Sequence, residues 1–164
     1  MRGELYRLAQ ALREDCGGRV VQRDNLHLTL MFLGNVAREK ITQLEALAAR
    51  QRGAGFDFKF GATGYWRNNR IVWAAPLSTP ETLRELVAAL ELALQQAGFK
   101  FNQRPYAPHL TLIRDAHAPA TLPPFALDWP VRDFVLVESA RGGQGPAYRV
   151  LARWALAEPG AASG

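Results

Sequence analysis

The tetrapeptide His-Leu-Thr-Leu occurs twice in a chain of 164 residues that holds three histidines in all, at His27–Leu30 and at His109–Leu112. Side chains of an extended strand alternate between its two faces. Each copy therefore sets two leucines on one face and a His–Thr pair on the other, about 6.5–7 Å apart at roughly 3.3 Å per residue. A fold containing these strands needs a core on the leucine side and a use for two polar pairs on the other. One buried His-x-Thr is ordinary packing. Two identical copies that absorb two of the three histidines are a coincidence that packing alone does not require.

A core is available. Hydrophobic residues make up 48% of the chain and charged residues 21%, which excludes a disordered chain. The length fits one domain built of two half-size lobes over 1–157, with 158–164 a disordered tail. The net charge of +5 suits an anionic partner without proving one, and only Lys40, Lys59 and Lys100 are lysines, so the cations are mostly Arg. The single cysteine, Cys16, excludes a disulfide framework and a cysteine zinc site, and it is read as incidental. The N-terminal stretch has no apolar h-region, and no apolar run reaches the roughly 18 residues a membrane span needs. A cytoplasmic protein with no membrane contact is expected.

Periodicity predicts the elements. Leu5, Leu8, Ala9 and Leu12 mark an amphipathic helix stopped by Gly17-Gly18. "LHLTLMFL" reads as a strand with Leu26, Leu28, Leu30 and Phe32 on one face and His27, Thr29, Met31 and Leu33 on the other. "REKITQLEALAARQ" is helical through Ile41, Leu44, Leu47 and Ala48. "FDFKFGATGYW" and "RIVWAA" are strands joined by an Asn68-Asn69 turn. "STPETLRELVAALELALQQAG" is a helix with a Ser78/Glu81 capping box, Pro80 in its first turn and Gly98 as its stop. "YAPHLTLIR" is a strand, and "APATLPPFALDWP" reads as a linker. "VRDFVLVES" and "AYRVLARWAL" form a hairpin whose loop, at Gly142, Gly143 and Gly145, is floppy. Helices and strands do not alternate regularly, so the fold class is α+β with mostly antiparallel pairing.

A hydroxyl beside an imidazole holds one phosphate oxygen while the imidazole exchanges a proton with another. Phosphodiester cleavage needs a base for the attacking oxygen and an acid for the leaving oxygen, and two facing His-x-Thr pairs supply both. His27 and His109 are the candidate catalytic residues, with Thr29 and Thr111 on the phosphate. Arg114 is a natural phosphate clamp. On a regular strand its parity is wrong for the His109 face, so it needs a bulge or the strand end. Tyr106 is a candidate for base stacking, set against simple packing under the loop. Trp66, Arg67 and Arg70 form an aromatic and basic turn with a weaker nucleotide signal. His117, in a Pro/Ala loop, reads as a surface residue. A metal hydrolase is the rival enzyme class, but neither histidine has a carboxylate or Cys at ligand spacing, so no metal site is expected.

"NLHLTLMFLG", "RIVWAAPL" and "RPYAPHLTLIR" resemble the 2H phosphoesterase superfamily. More narrowly they resemble its RNA 2',3'-cyclic phosphodiesterases, the older 2'-5' RNA ligases. The resemblance implies two pseudo-symmetric lobes with helices outside and one His-x-Thr strand from each facing a central cleft. It implies His27 as proton donor to the leaving 3'-oxygen and His109 as the base activating water. It implies hydrolysis of RNA 2',3'-cyclic phosphate ends to 2'-phosphomonoesters, possible reverse ligation, no metal and no nucleotide cofactor. RNA ends or small cyclic nucleotides are the expected partners of a monomer. The alternative is an RNA- or nucleotide-binding module that holds phosphate without turnover. Family members usually open with a strand of the type "RLFFAL". This chain opens at the helix, so a sheet edge is expected to lack that strand.

Overall fold

Phe56, Phe58 and Phe60 are buried while Asp57 and Lys59 between them are exposed, the alternation that makes this segment a half-buried strand. The structure, a computed structural model, describes residues 1–142 and 145–158. The chain forms two units, each assembled from three segments. The first comprises Met1–Thr29, Phe58–Thr79 and Tyr106–Trp129; the second comprises Leu30–Asp57, Pro80–Pro105 and the chain from Pro130. The units are not the two halves of the sequence. Both His-Leu-Thr segments fall in the first unit.

In the first unit, α1 (Arg2–Cys16) buries Leu5, Ala9, Leu12 and Cys16, a single stripe at helical spacing. Cys16 is the last member of that stripe, which accounts for its presence as packing. Burial pushes its thiol pKa up. Gly17 and Gly18 follow at φ 64° and 82°, left-handed values that end the helix. A five-stranded sheet runs in the order β1 (Arg19–Val20), β4 (Leu110–Arg114), β3 (Ile71–Pro76), β2 (Phe56–Trp66), β5 (Leu127–Val131). The β1–β4, β4–β3 and β3–β2 ladders are antiparallel, as the order of elements predicts. Val72, Ala74, Leu110, Leu112 and Ile113 are fully buried, and Trp129 of β5 stacks on Phe60 with ring centroids 5.8 Å apart. Phe58 and Phe60 are each 1% exposed; burying each such ring is worth about 1.5–3 kcal/mol. β5 arises inside the segment expected to be a linker, because Leu127 and Trp129 point the same way and have the phenylalanines of β2 to cover.

The second unit holds a 3-10 turn at Arg38–Lys40, then α2 (Ile41–Ala49), α3 (Glu81–Gln96) and the hairpin of β6 (Asp133–Gly142) and β7 (Gly145–Ala155). Its core is Leu44, Leu94 and Phe99, with Met31, Leu33, Leu47, Phe101 and Leu136 packed against them. The capping box at Ser78/Glu81 does not form. Pro80, extended at ψ 141°, occupies the cap position, so Glu81 is the first helical residue, and its carboxylate accepts from Arg84 at 2.6 and 2.8 Å. Gly98 closes α3 at φ 71° as expected. The hairpin pairs down to Gly142 and Gly145. The loop residues 143–144 and the expected tail beyond Glu158 lie outside the described residues. Among the described residues no helix is long and apolar enough to cross a membrane.

Candidate active site

Leu28 makes one isolated antiparallel bridge with Leu110, the second residue of the other motif. The strand expected over Leu26–Leu33 is otherwise absent. After Thr29 the chain passes into the second unit, where Met31 and Leu33 pack on the Leu44–Leu94–Phe99 cluster. Phe32, assigned to the core by alternation, is 65% exposed. The second motif is extended as predicted, but its strand begins at Leu110 rather than Tyr106, since Pro108 denies that stretch a ladder donor. The antiparallel sense of the Leu28–Leu110 bridge sets residue 27 across from residue 111 and residue 29 across from residue 109. Each histidine position therefore has its own threonine two residues on and the other motif's threonine across the gap. His27, His109 and Thr111 are half-buried and Thr29 is exposed.

Both imidazoles are held in the same way. His27 Nδ1 lies 2.6 Å from the Asn25 carbonyl oxygen, and His109 Nδ1 lies 2.8 Å from that of Ala107. A carbonyl only accepts, so Nδ1 carries the proton and donates it in both rings. In each neutral ring Nε2 is left as the basic atom, and in each imidazolium Nε2–H is the acidic one. Burial, above all, pushes the His27 pKa down. The bond to Asn25 pushes it up, and the charges of Arg114, Arg2 and His109 push it down again. The balance is downward and favours the neutral imidazole at His27. Arg2, at the start of α1, is a neighbour that no motif announces.

The bulge that Arg114 requires is present. Trp73 pairs with Thr111 while Val72 pairs with Ile113, so Leu112 is an extra residue in β4. Leu112 and Ile113 are consequently both buried, and the alternation resumes one step out of phase. Thr111 and Arg114 thereby share the half-exposed face, and Arg114 acts electrostatically on His27. The chain just beyond Arg114 is pinned. Asp115 and Arg70 adopt left-handed φ values of 56° and 55°. Arg19 donates to the Asp115 carboxylate at 2.7 and 3.0 Å, and Arg70 donates to the Asp115 carbonyl at 3.0 Å. Arg70, a candidate nucleotide contact by sequence, thus spends its guanidinium on the backbone after β4.

Trp66 reaches the site. Its ring centroid lies 4.5 Å from that of His109, with the two planes at 73°. Trp73, which sequence reasoning passed over, tilts against Trp66 at 5.6 Å. Tyr106 is half-buried with its hydroxyl oxygen buried and unbonded, and burial pushes the phenol pKa far up. Its polar end is therefore turned away from solvent. His117 is exposed, as read from its loop. Among the described residues no group of three or more His, Cys, Asp or Glu side chains is placed to hold a metal ion.

The family model of the LigT like phosphoesterases matches residues 1–73 and 75–148. The RNA 2',3'-cyclic phosphodiesterase of Escherichia coli (strain K12) is 39% identical over 143 residues, covering 86% of this chain and 81% of that protein. The protein of the same name from Thermus thermophilus is 33% identical over 167 residues, covering 95% of this chain and 84% of that one. The crystal structure of E. coli LigT complexed with 3'-AMP matches with a TM-score of 0.83 at 36% identity, over 93% of this chain and 91% of that chain. The architecture and nearly the whole length of the chain match these proteins, and the chain belongs to the LigT-like phosphoesterase family of the 2H superfamily.

Proposed function

We propose that this protein hydrolyses RNA 2',3'-cyclic phosphate ends to 2'-phosphomonoesters, with His27 and His109 as the acid–base pair. The observation that carries the reading is the shared anchoring of the two imidazoles. Each is fixed through Nδ1 to the carbonyl two residues earlier, which dedicates Nε2 to proton transfer, beside a bridge that brings the two motifs together. The named activity of the relatives and the nucleotide held by E. coli LigT support the same chemistry.

In this reading Thr29, Thr111 and Arg114 hold the non-bridging phosphate oxygens. His109 Nε2 takes a proton from water as its oxygen attacks phosphorus. The bond from phosphorus to the 3'-oxygen breaks, and that oxygen takes the proton from His27 Nε2. The products are a 2'-phosphate and a free 3'-hydroxyl, and the two histidines exchange protonation states. Burial and the Arg114 and Arg2 charges make protonated His27 a stronger acid than an ordinary imidazolium. The anionic cyclic phosphate offsets those arginines and brings the proton onto His27 when it binds. With the 5'-hydroxyl of a second RNA in place of water, its oxygen attacks phosphorus, the bond to the 3'-oxygen breaks, that oxygen takes the proton, and a 2'-5' link with a free 3'-hydroxyl is left. Tyr106 offers a base its ring and not its buried hydroxyl. The reading makes the protein a cytoplasmic monomer of one bilobal domain acting on RNA ends or small cyclic nucleotides.

The test is hydrolysis of a short RNA ending in a 2',3'-cyclic phosphate, in excess EDTA, with the product resolved from its 3'-phosphate isomer. A 2'-phosphate product is expected. A 3'-phosphate product, or activity that disappears in chelator, contradicts the reading.

A further inference from the structure

We propose that Trp66 is a positioning residue for His109, bracing the imidazole plane and facing the positive charge that arrives on it as water is deprotonated. The inference rests on the reading of His109 as the base. One hydrogen bond, from Nδ1 to the Ala107 carbonyl, fixes one atom of that ring and leaves its plane free to swing. The edge-to-face contact with Trp66 at 4.5 Å and 73° supplies the second restraint. The Nδ1 partner is a neutral carbonyl, so it orients the ring without contributing a full opposing charge. An indole whose face lies within about 6 Å of a forming cation stabilises it through its quadrupole.

The brace has its own support. Trp73 is the cross-strand partner of both Thr111 on β4 and Gly64 on β2. It lies across Gly64 so closely that a Cβ there would sit 2.1 Å from Trp73 Cζ2 and 2.6 Å from Cε2 and Cη2. Only glycine at position 64 leaves room for that indole, and the indole in turn backs Trp66 at 5.6 Å. The Trp73 N–H is buried with no hydrogen-bond partner, a cost retained where the ring's position matters more than its donor. The contacts therefore run Gly64, Trp73, Trp66, His109, from a strand interior to the base.

The test compares wild type, Trp66→Leu, Trp66→Phe, Gly64→Ala and His109→Ala on the cyclic-phosphate RNA. Inorganic phosphate inhibition reports binding, and circular dichroism reports folding. Trp66→Leu is expected to lower kcat roughly 3- to 30-fold, the range of a cation–π contact, with the phosphate inhibition constant unchanged. Trp66→Phe is expected to recover part of that loss. Gly64→Ala is expected to lower kcat in the same way although it touches no substrate. A wild-type kcat in Trp66→Leu, or a loss carried by KM and phosphate affinity, overturns the brace. If Trp66→Leu does not fold, Trp66→Phe decides, and a kcat equal to wild type overturns the proposal. An active His109→Ala removes the base reading itself, whereas a dead His109→Ala beside an unaffected Trp66 series removes the brace alone.

Discussion

Leu28 and Leu110 meet in a single antiparallel bridge, and each is the middle residue of a His-Leu-Thr triplet. The bridge relates the triplets by an approximate twofold, because residues 27 and 29 stand across from 111 and 109. Leu110 is fully buried and also pairs with Ala74 of β3, so it ties the first motif to the sheet. Leu110→Ala is expected to cost about 2–5 kcal/mol, read from the urea midpoint, as for other buried leucines. A variant within a few tenths of a kcal/mol of wild type would mean that the bridge does not organise the site.

The charges around His27 set its proton affinity. The two arginines disfavour the imidazolium, so neutralising either one raises the pKa. Arg2→Gln leaves every proposed catalytic group in place. Its His27 resonance, followed by NMR, should titrate at higher pH than in wild type. A lower or unchanged titration point contradicts the assigned electrostatics.

A depressed His27 also makes stability depend on pH. The folded protein binds fewer protons here than the unfolded chain between the lowered pKa and the ordinary value of 6.5. The contribution is present in full above that value and is lost as the pH falls through the folded pKa. Unfolding free energy measured between about pH 7.5 and about pH 5 should therefore decline less in His27→Gln than in wild type. An equal or steeper decline in the variant counts against the buried, neutral histidine.

Gly18 is where the helix end meets Arg114. At φ 82° it already favours glycine, and a Cβ would lie 2.5 Å from the Arg114 carbonyl oxygen and 2.9 Å from Ile113 Cγ2. Gly18→Ala must move backbone, not a flexible side-chain tip. A loss of at least about 1–3 kcal/mol is expected, read as a lowered Tm, together with a raised KM as Arg114 shifts. An unchanged Tm would place Gly18 outside the support of the site.

Much of this arrangement is legible in the sequence, and the exceptions have physical causes. Phe56, Phe58 and Phe60 announce β2, and Leu110 and Leu112 announce the buried face of β4, because burial on one side of a sheet writes a period of two. The same pattern misleads at Leu26–Leu33. Met31 and Leu33 are apolar because a second core needs them, and alternation does not say which core a residue joins. The Leu112 bulge is also silent, since Leu112 and Ile113 read as an ordinary apolar run. Only the need for Arg114 on the histidine face hints at it. β5 is hidden by Pro130 within it and by Pro123 and Pro124 just before it, and the Trp66–His109 contact by the fact that ring packing leaves no spacing rule.

The most direct test of the paired histidines is turnover of a short RNA with a 2',3'-cyclic phosphate end, in excess EDTA, by wild type, His27→Ala and His109→Ala side by side. The account predicts a 2'-phosphate product from wild type and a loss on the order of 10² or more in each variant, with folding retained by circular dichroism. A folded variant of either histidine that still turns over at the wild-type rate would contradict it.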